Sequence, residues 1–180
     1  MSFNKNSSFV SINRINMEKL LGLLLLLTLI CIGCKSETED TILYLVRHAE
    51  KDTTDQSDNP PLIQEGIERA ERLEEIMYKH KLSGIYSTAY DRNMNTVKGV
   101  ADQQGLEIKN YEWHEWHESI DAIKKQKGVF LLCGHGDNLL PIIDYLNAEK
   151  PMDHLGHNEY ENLFKVLIEK DTAYVDLIRF

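Results

Sequence analysis

The chain has 180 residues, 42% hydrophobic and 27% charged, which is the composition of an ordinary globular protein and argues against collagen, wholesale disorder or a polytopic membrane protein. Lys and Arg number 20 against 29 Asp and Glu, a formal net charge of −9, and no basic cluster stands out that could follow a phosphodiester backbone, so nucleic acid is not an expected partner. The three cysteines, Cys31, Cys34 and Cys133, are too few for a disulfide scaffold.

Leu20 to Cys34 runs 15 residues without a charge behind Lys19. That is short of the roughly 20 residues an upright spanning helix needs, and it reads as the apolar region of a signal peptide. Gly33-Cys34 followed by hydrophilic residues resembles a bacterial lipobox, which makes Cys34 the acylated first residue of the mature protein, although Cys31 stands where Leu is usual. The alternative is a permanently inserted anchor. Residues 1 to 16 are rich in Asn and Ser without periodicity, and Met17-Glu18-Lys19 is the more natural start. The expected organisation is an extension and signal peptide over 1–34, a tether over 35–40 and one domain over 41–180. The protein is then exported and held by lipid at a bacterial cell-envelope membrane, on the periplasmic or surface side.

Thr41 to Val46 is a continuous β-branched and aromatic run, the pattern of a strand covered on both faces. Lys51 to Pro61 is a polar loop. Ile63, Ile67, Ala70, Leu73 and Met77 recur at three- and four-residue steps and predict an amphipathic helix over 62–80. A short strand follows at Gly84–Ser87, then a helix from Asp91 to Gln104 stopped by Gly105. Glu107–Tyr111 suits a third strand and Ser119–Lys127 a helix closed by Gly128. Val129–Cys133 is a second buried central strand, within which Cys133 is a structural thiol. Asn138–Asn147 reads as a helix capped by Asp137 or Asn138, with Pro141 in its first turn. Lys165–Glu169 and Ala173–Ile178 flank a terminal hairpin. Strands alternating with helices predict an α/β fold, a three-layer α/β/α sandwich whose mostly parallel sheet has one antiparallel edge.

Ligands of open α/β sheets bind beyond the carboxyl ends of the strands. Arg47-His48, the Ser87–Arg92 segment and Gly134–Asn138 all follow buried strands, so two arginines and two histidines meet at one rim of an acidic protein. A local positive pocket of this kind suits an anion, and Arg matches phosphate oxygens bidentately.

LYLVRHAEK, PPLIQEGIERAERL, IYSTAYDRNMNT and LLCGHGDNLLPII, in this order and spacing, resemble the motifs of the histidine phosphatase (phosphoglycerate mutase-like) superfamily, and NEYENLF at 158–164 is similar to a segment of its compact bacterial members. The resemblance implies a phosphoglycerate mutase-like fold, with His48 as the nucleophile that accepts a phosphoryl group and Arg47, Arg92, His135 and Asn138 as ligands of its oxygens. It implies no cofactor and no metal. Substrates would be phosphorylated small molecules or phosphoproteins, and the absence of a long insertion after the second helix implies an open site better suited to a phosphatase than to a mutase. The general acid is open between Asp137, which is equally a helix cap, and Glu115, with Glu112 and Glu118 behind it. Here His135-Gly136-Asp137-Asn138 replaces the usual His-Ser-Asn-Thr, and Ile63 the usual Thr. Two other readings compete. His114 with His117, and His154 with His157, repeat an i, i+3 spacing near carboxylates and could bind metal, although the pattern is not HExxH. A non-catalytic phosphate-binding lipoprotein is the third. Trp113 and Trp116 are expected in a pocket wall or partly in the core.

Overall fold

Six strands form one sheet in the order β3-β2-β4-β1-β5-β6. The computed structural model describes residues 40–170 and 172–180. The signal-peptide and lipidation expectations, Cys31 and Cys34 included, lie outside those residues. The strands are β1 (Thr41–Arg47), β2 (Leu82–Ser87), β3 (Ile108–Asn110), β4 (Gly128–Gly134), β5 (Asn162–Glu169) and β6 (Thr172–Arg179). The helices are α1 (Gln64–Met77), α2 (Asp91–Gln104), α3 (Trp116–Lys124) and α4 (Leu139–Tyr145). β1, β4, β2 and β3 are mutually parallel, and β5 joins β1 antiparallel and carries β6 outward. The α/β sandwich with an antiparallel edge is thus the observed fold.

β1 and β4 are apolar on both faces because both faces are covered. Tyr44, Val46, Leu131 and Cys133 point into a core with Leu73 and Met77 of α1 and Val97 and Val100 of α2. Leu43, Leu45, Phe130 and Leu132 point into the opposite core with Trp116, Ile120 and Ile123 of α3 and Leu139, Ile142 and Ile143 of α4. Since side chains alternate across a strand, neither helix layer can be lost without baring half of each central strand.

Three helices differ from expectation in their boundaries. α1 begins two residues late because Leu62 is held extended in a bridge to Lys51, with the Ile63 N–H donating to the Glu50 carbonyl at 3.0 Å. It ends three residues early because Gln104 stops it: the Gln104 amide donates to the Met77 and His80 carbonyls and accepts from the Leu82 N–H. Its buried face centres on Gly66, Leu73 and Met77, leaving Ile63 and Ile67 exposed. Gly66 is required there, since a Cβ would collide with the Glu50 carbonyl oxygen. α3 lies three residues earlier than expected, with Trp116 as its first core contact and Gln126 outside it, accepting from the Thr41 hydroxyl. α4 is shorter at both ends and closes at Asn147, whose φ of 57° is left-handed. Gly105 ends α2 with φ 64° as its position after the last helical turn requires.

Candidate active site

Because β1, β2 and β4 are parallel, their carboxyl ends deliver the following residues to one rim. Arg47, His48, Lys51, Arg92, His135 and Asp137 line a cleft there of about 660 Å³, whose far wall is the 150–157 segment. His48 is only 4% exposed. Its Nδ1 donates to the Ala49 carbonyl at 2.8 Å, which leaves Nε2 as the lone-pair nitrogen. The backbone around it is tied down from two sides. The His48 N–H donates to Gly134 O at 3.0 Å, and the Ala49 N–H to Thr96 Oγ1 at 2.9 Å. Burial pushes the His48 pKa down to about 3, opposed by the Ala49 hydrogen bond and reinforced by Arg47, His135 and Arg92, so the imidazole is neutral at physiological pH.

His135 stands with its ring centroid 5.5 Å from that of His48, and its Nε2 is hydrogen-bonded to Thr88 Oγ1 at 3.0 Å. Burial first, and then the neighbouring cations, lower its pKa to about 4, with Asp137 acting in the opposite direction. Arg92, in the first turn of α2, lies with its guanidinium over the Tyr90 ring at 4.3 Å. It is 8% exposed, and its Nε and Nη1 find no hydrogen-bond partner among the described residues. A buried guanidinium with idle donors is costly, and its uncompensated charge favours an anion in the cleft that Arg92 lines. Arg47 covers the Tyr160 ring at 4.3 Å, and its Nη1 donates to the carbonyls of Gly156, His157 and Glu159. Arg47 therefore faces the cleft and also fastens its far wall. Gly136 makes room for this guanidinium, its would-be Cβ falling 3.3 Å from the Arg47 Cζ.

The other expected site residues separate. Asp137 lines the cleft beside His135. Glu115 does not reach it: it is exposed at the N-cap of α3, with its N–H donating to Glu112 O, and neither Glu112 nor Glu118 lines the cleft. Asn138 is also not a cleft residue. It is 3% exposed, and its Oδ1 accepts the His135 N–H at 2.9 Å, which turns the side chain back to hold the histidine loop instead of capping α4 conventionally. Cys133 is fully buried and its thiol is pushed up to about 12 by burial. His114 lies tilted against Trp113 and His117 stacks on Trp116, while His154 and His157 stand on the far wall of the cleft. Among the described residues no group of three or more His, Cys, Asp or Glu side chains gathers closely enough to hold a metal ion. Thr88 and Tyr160 were not singled out from sequence. Thr88 sits in the strand-end segment that was, and Tyr160 in the 158–164 segment that was, although 113 positions separate it from the arginine it supports.

The family model of the histidine phosphatase superfamily (branch 1) matches residues 43–119 of the 180. No curated protein matches it. Among solved structures it is similar to the protein histidine phosphatase SixA complexed with tungstate, at 13% identity and a TM-score of 0.60, covering 77% of this chain and 96% of that one. The mycobacterial glucosyl-3-phosphoglycerate phosphatase Rv2419c is similar at 13% identity and a TM-score of 0.58, with 78% and 99% covered. Phosphoglycerate mutase from Bacillus anthracis str. Sterne is similar at 16% and 0.60, with 79% and 94% covered. At these identities the likeness establishes the phosphoglycerate mutase-like fold.

Proposed function

We propose that the protein is a phosphatase, not a mutase, and that it hydrolyses phosphomonoesters or phosphohistidine through a covalent phosphohistidine on His48. The observation that carries this reading is the pairing of a neutral, backbone-anchored His48 with the idle buried donors of Arg92 across one cleft. His48 Nε2 attacks phosphorus, and the P–N bond forms as the bond to the leaving group breaks. Asp137 gives the departing atom its proton. Arg92, Arg47 and His135 meet the charge on the phosphoryl oxygens, where electrostatic stabilisation is the main task of such a site. Water then attacks the phosphohistidine, its proton passes to the Asp137 carboxylate, and phosphate leaves with His48 restored. Hydrolysis is favoured over mutase chemistry by the openness of the cleft to solvent and by the short connection of residues 105–107 between α2 and β3.

The test is turnover on a panel of phosphomonoesters and phosphohistidine, with and without EDTA, followed by product analysis. Release of inorganic phosphate that survives EDTA is expected. Phosphate moved within the substrate without release would favour a mutase, and loss in EDTA with recovery on a divalent cation would favour the histidine pairs as a metal site. We also propose that the protein is exported and anchored through acylated Cys34. Cys34→Ser should then abolish lipid labelling while Cys31→Ser leaves it intact; unchanged labelling in Cys34→Ser would make the apolar run a plain anchor.

A further inference from the structure

A second cleft of about 220 Å³ opens beside the main one, lined by Tyr90, Arg92, Trp113, His135 and Asp137. It shares Arg92, His135 and Asp137 with the main cleft, but neither His48 nor Arg47 borders it. Its walls are rings. His135 stands edge-on to Tyr90, with centroids 5.4 Å apart at 88°, and to Trp113, 6.1 Å apart at 66°. Tyr90 and Trp113 are both half-buried and neither joins a core cluster, so their apolar surface is turned toward this opening.

We propose that this slot receives the leaving group, and that the preferred substrate carries its phosphate on a single flat unsaturated ring, a phenol or an imidazole. The inference rests on the phosphatase reading above. In-line displacement puts nucleophile and leaving atom on opposite sides of phosphorus. A phosphoryl group held between Arg92 and His135, with His48 on one flank, therefore directs its leaving group to the flank that Arg92 and His135 border and His48 does not. Asp137 stands at the junction of the two clefts, where it can protonate the departing oxygen or nitrogen as the P–Nε2 bond forms. Size agrees, since a cavity of about 150 Å³ lined by apolar side chains already accepts benzene. Edge-to-face and offset packing against Tyr90 and Trp113 favours a flat ring over an alkyl chain of equal volume.

The experiment uses the full chain and its Trp113→Ala and Trp113→Phe variants. It measures kcat and KM for phenyl phosphate and ethyl phosphate, and inhibition by phenylphosphonate and ethylphosphonate, which do not turn over and so report binding without leaving-group chemistry. Trp113→Ala should lose about tenfold in kcat/KM on phenyl phosphate, mainly through KM, and bind phenylphosphonate about tenfold more weakly. The two ethyl compounds should be unaffected, and Trp113→Phe should restore most of the phenyl preference. Equal losses on phenyl and ethyl compounds, or no loss on either, would overturn the slot while leaving the phosphatase reading in place. Absence of turnover together with Trp113-dependent binding of phenylphosphonate would do the reverse.

Discussion

The two parts of the sheet do different work. β1, β2 and β4 run the same way and each ends at the cleft, supplying His48, the Thr88–Arg92 turn and His135; the β5–β6 hairpin runs against β1 and reaches the cleft only through the segment before it. Both parts are packed, yet the unpartnered buried groups of Arg47, Arg92 and Asn93 stand at or beyond the ends of parallel strands, whereas in the hairpin, among the described residues, only the Asn162 side chain is buried without a partner, and it does not line the cleft. Strand direction thus decides which half can gather chemistry, and the other half is free to be scaffold.

Substitutions in the two halves should therefore separate stability from turnover. Phe164→Ala in β5 removes a fully buried ring and should cost about 3–5 kcal/mol in denaturant unfolding, while the molecules still folded keep the wild-type kcat. A proportionate fall in kcat would couple the hairpin to the chemistry and break the contrast. Arg92→Ala should do the opposite, lowering turnover by about 10²–10³ by analogy with a lost oxyanion donor. Its unfolding midpoint should not fall, because the guanidinium it removes is buried with idle donors.

The contrast also has a pH signature. His48 and His135 are held neutral by burial, with folded pKa values of about 3 and about 4, whereas in the unfolded chain each titrates near the usual ~6.5. Below that value the unfolded state binds protons that the folded state refuses. Their contribution to stability is therefore complete above about pH 6.5 and is lost as pH falls toward 4 and 3. Urea midpoints measured from pH 7 to 4 should fall less steeply in His48→Gln than in the wild type. Identical slopes would mean that His48 is not held neutral. The smallest effect belongs to the hairpin edge, where Arg179 pairs with Glu161 in solvent. Arg179→Ala should change stability by no more than about 0.5 kcal/mol and turnover not at all.

The same division governs what could be read from the sequence. β1 and β4 were legible because burial on both faces leaves a continuous apolar run, and the gathering of Arg47, His48, Arg92 and His135 at one rim followed from strand direction and the ordered motifs. The start of α1 was not, because it depends on a bridge between Leu62 and Lys51 that no local pattern announces. The start of α3 was misplaced although Trp116, Ile120 and Ile123 stand at helical spacing, since Trp116 was equally suited to a pocket wall. The choice between Asp137 and Glu115 turned on which loop side chain reaches the cleft, and spacing carries no such direction. Asn138 was assigned to phosphate for the same reason; only the folded loop shows its amide turned to the His135 N–H. Tyr160 supports Arg47 across 113 positions of chain, a pairing without any local trace.

The central claim is that a neutral His48 takes the phosphoryl group, and trapping it is the most direct measurement. Wild-type protein mixed with labelled substrate and quenched during turnover should carry phosphate that is stable in base and labile in acid, mapped to His48 and absent from His48→Ala. Label on Ser87 or Cys133, or undiminished turnover in His48→Ala, would contradict the account.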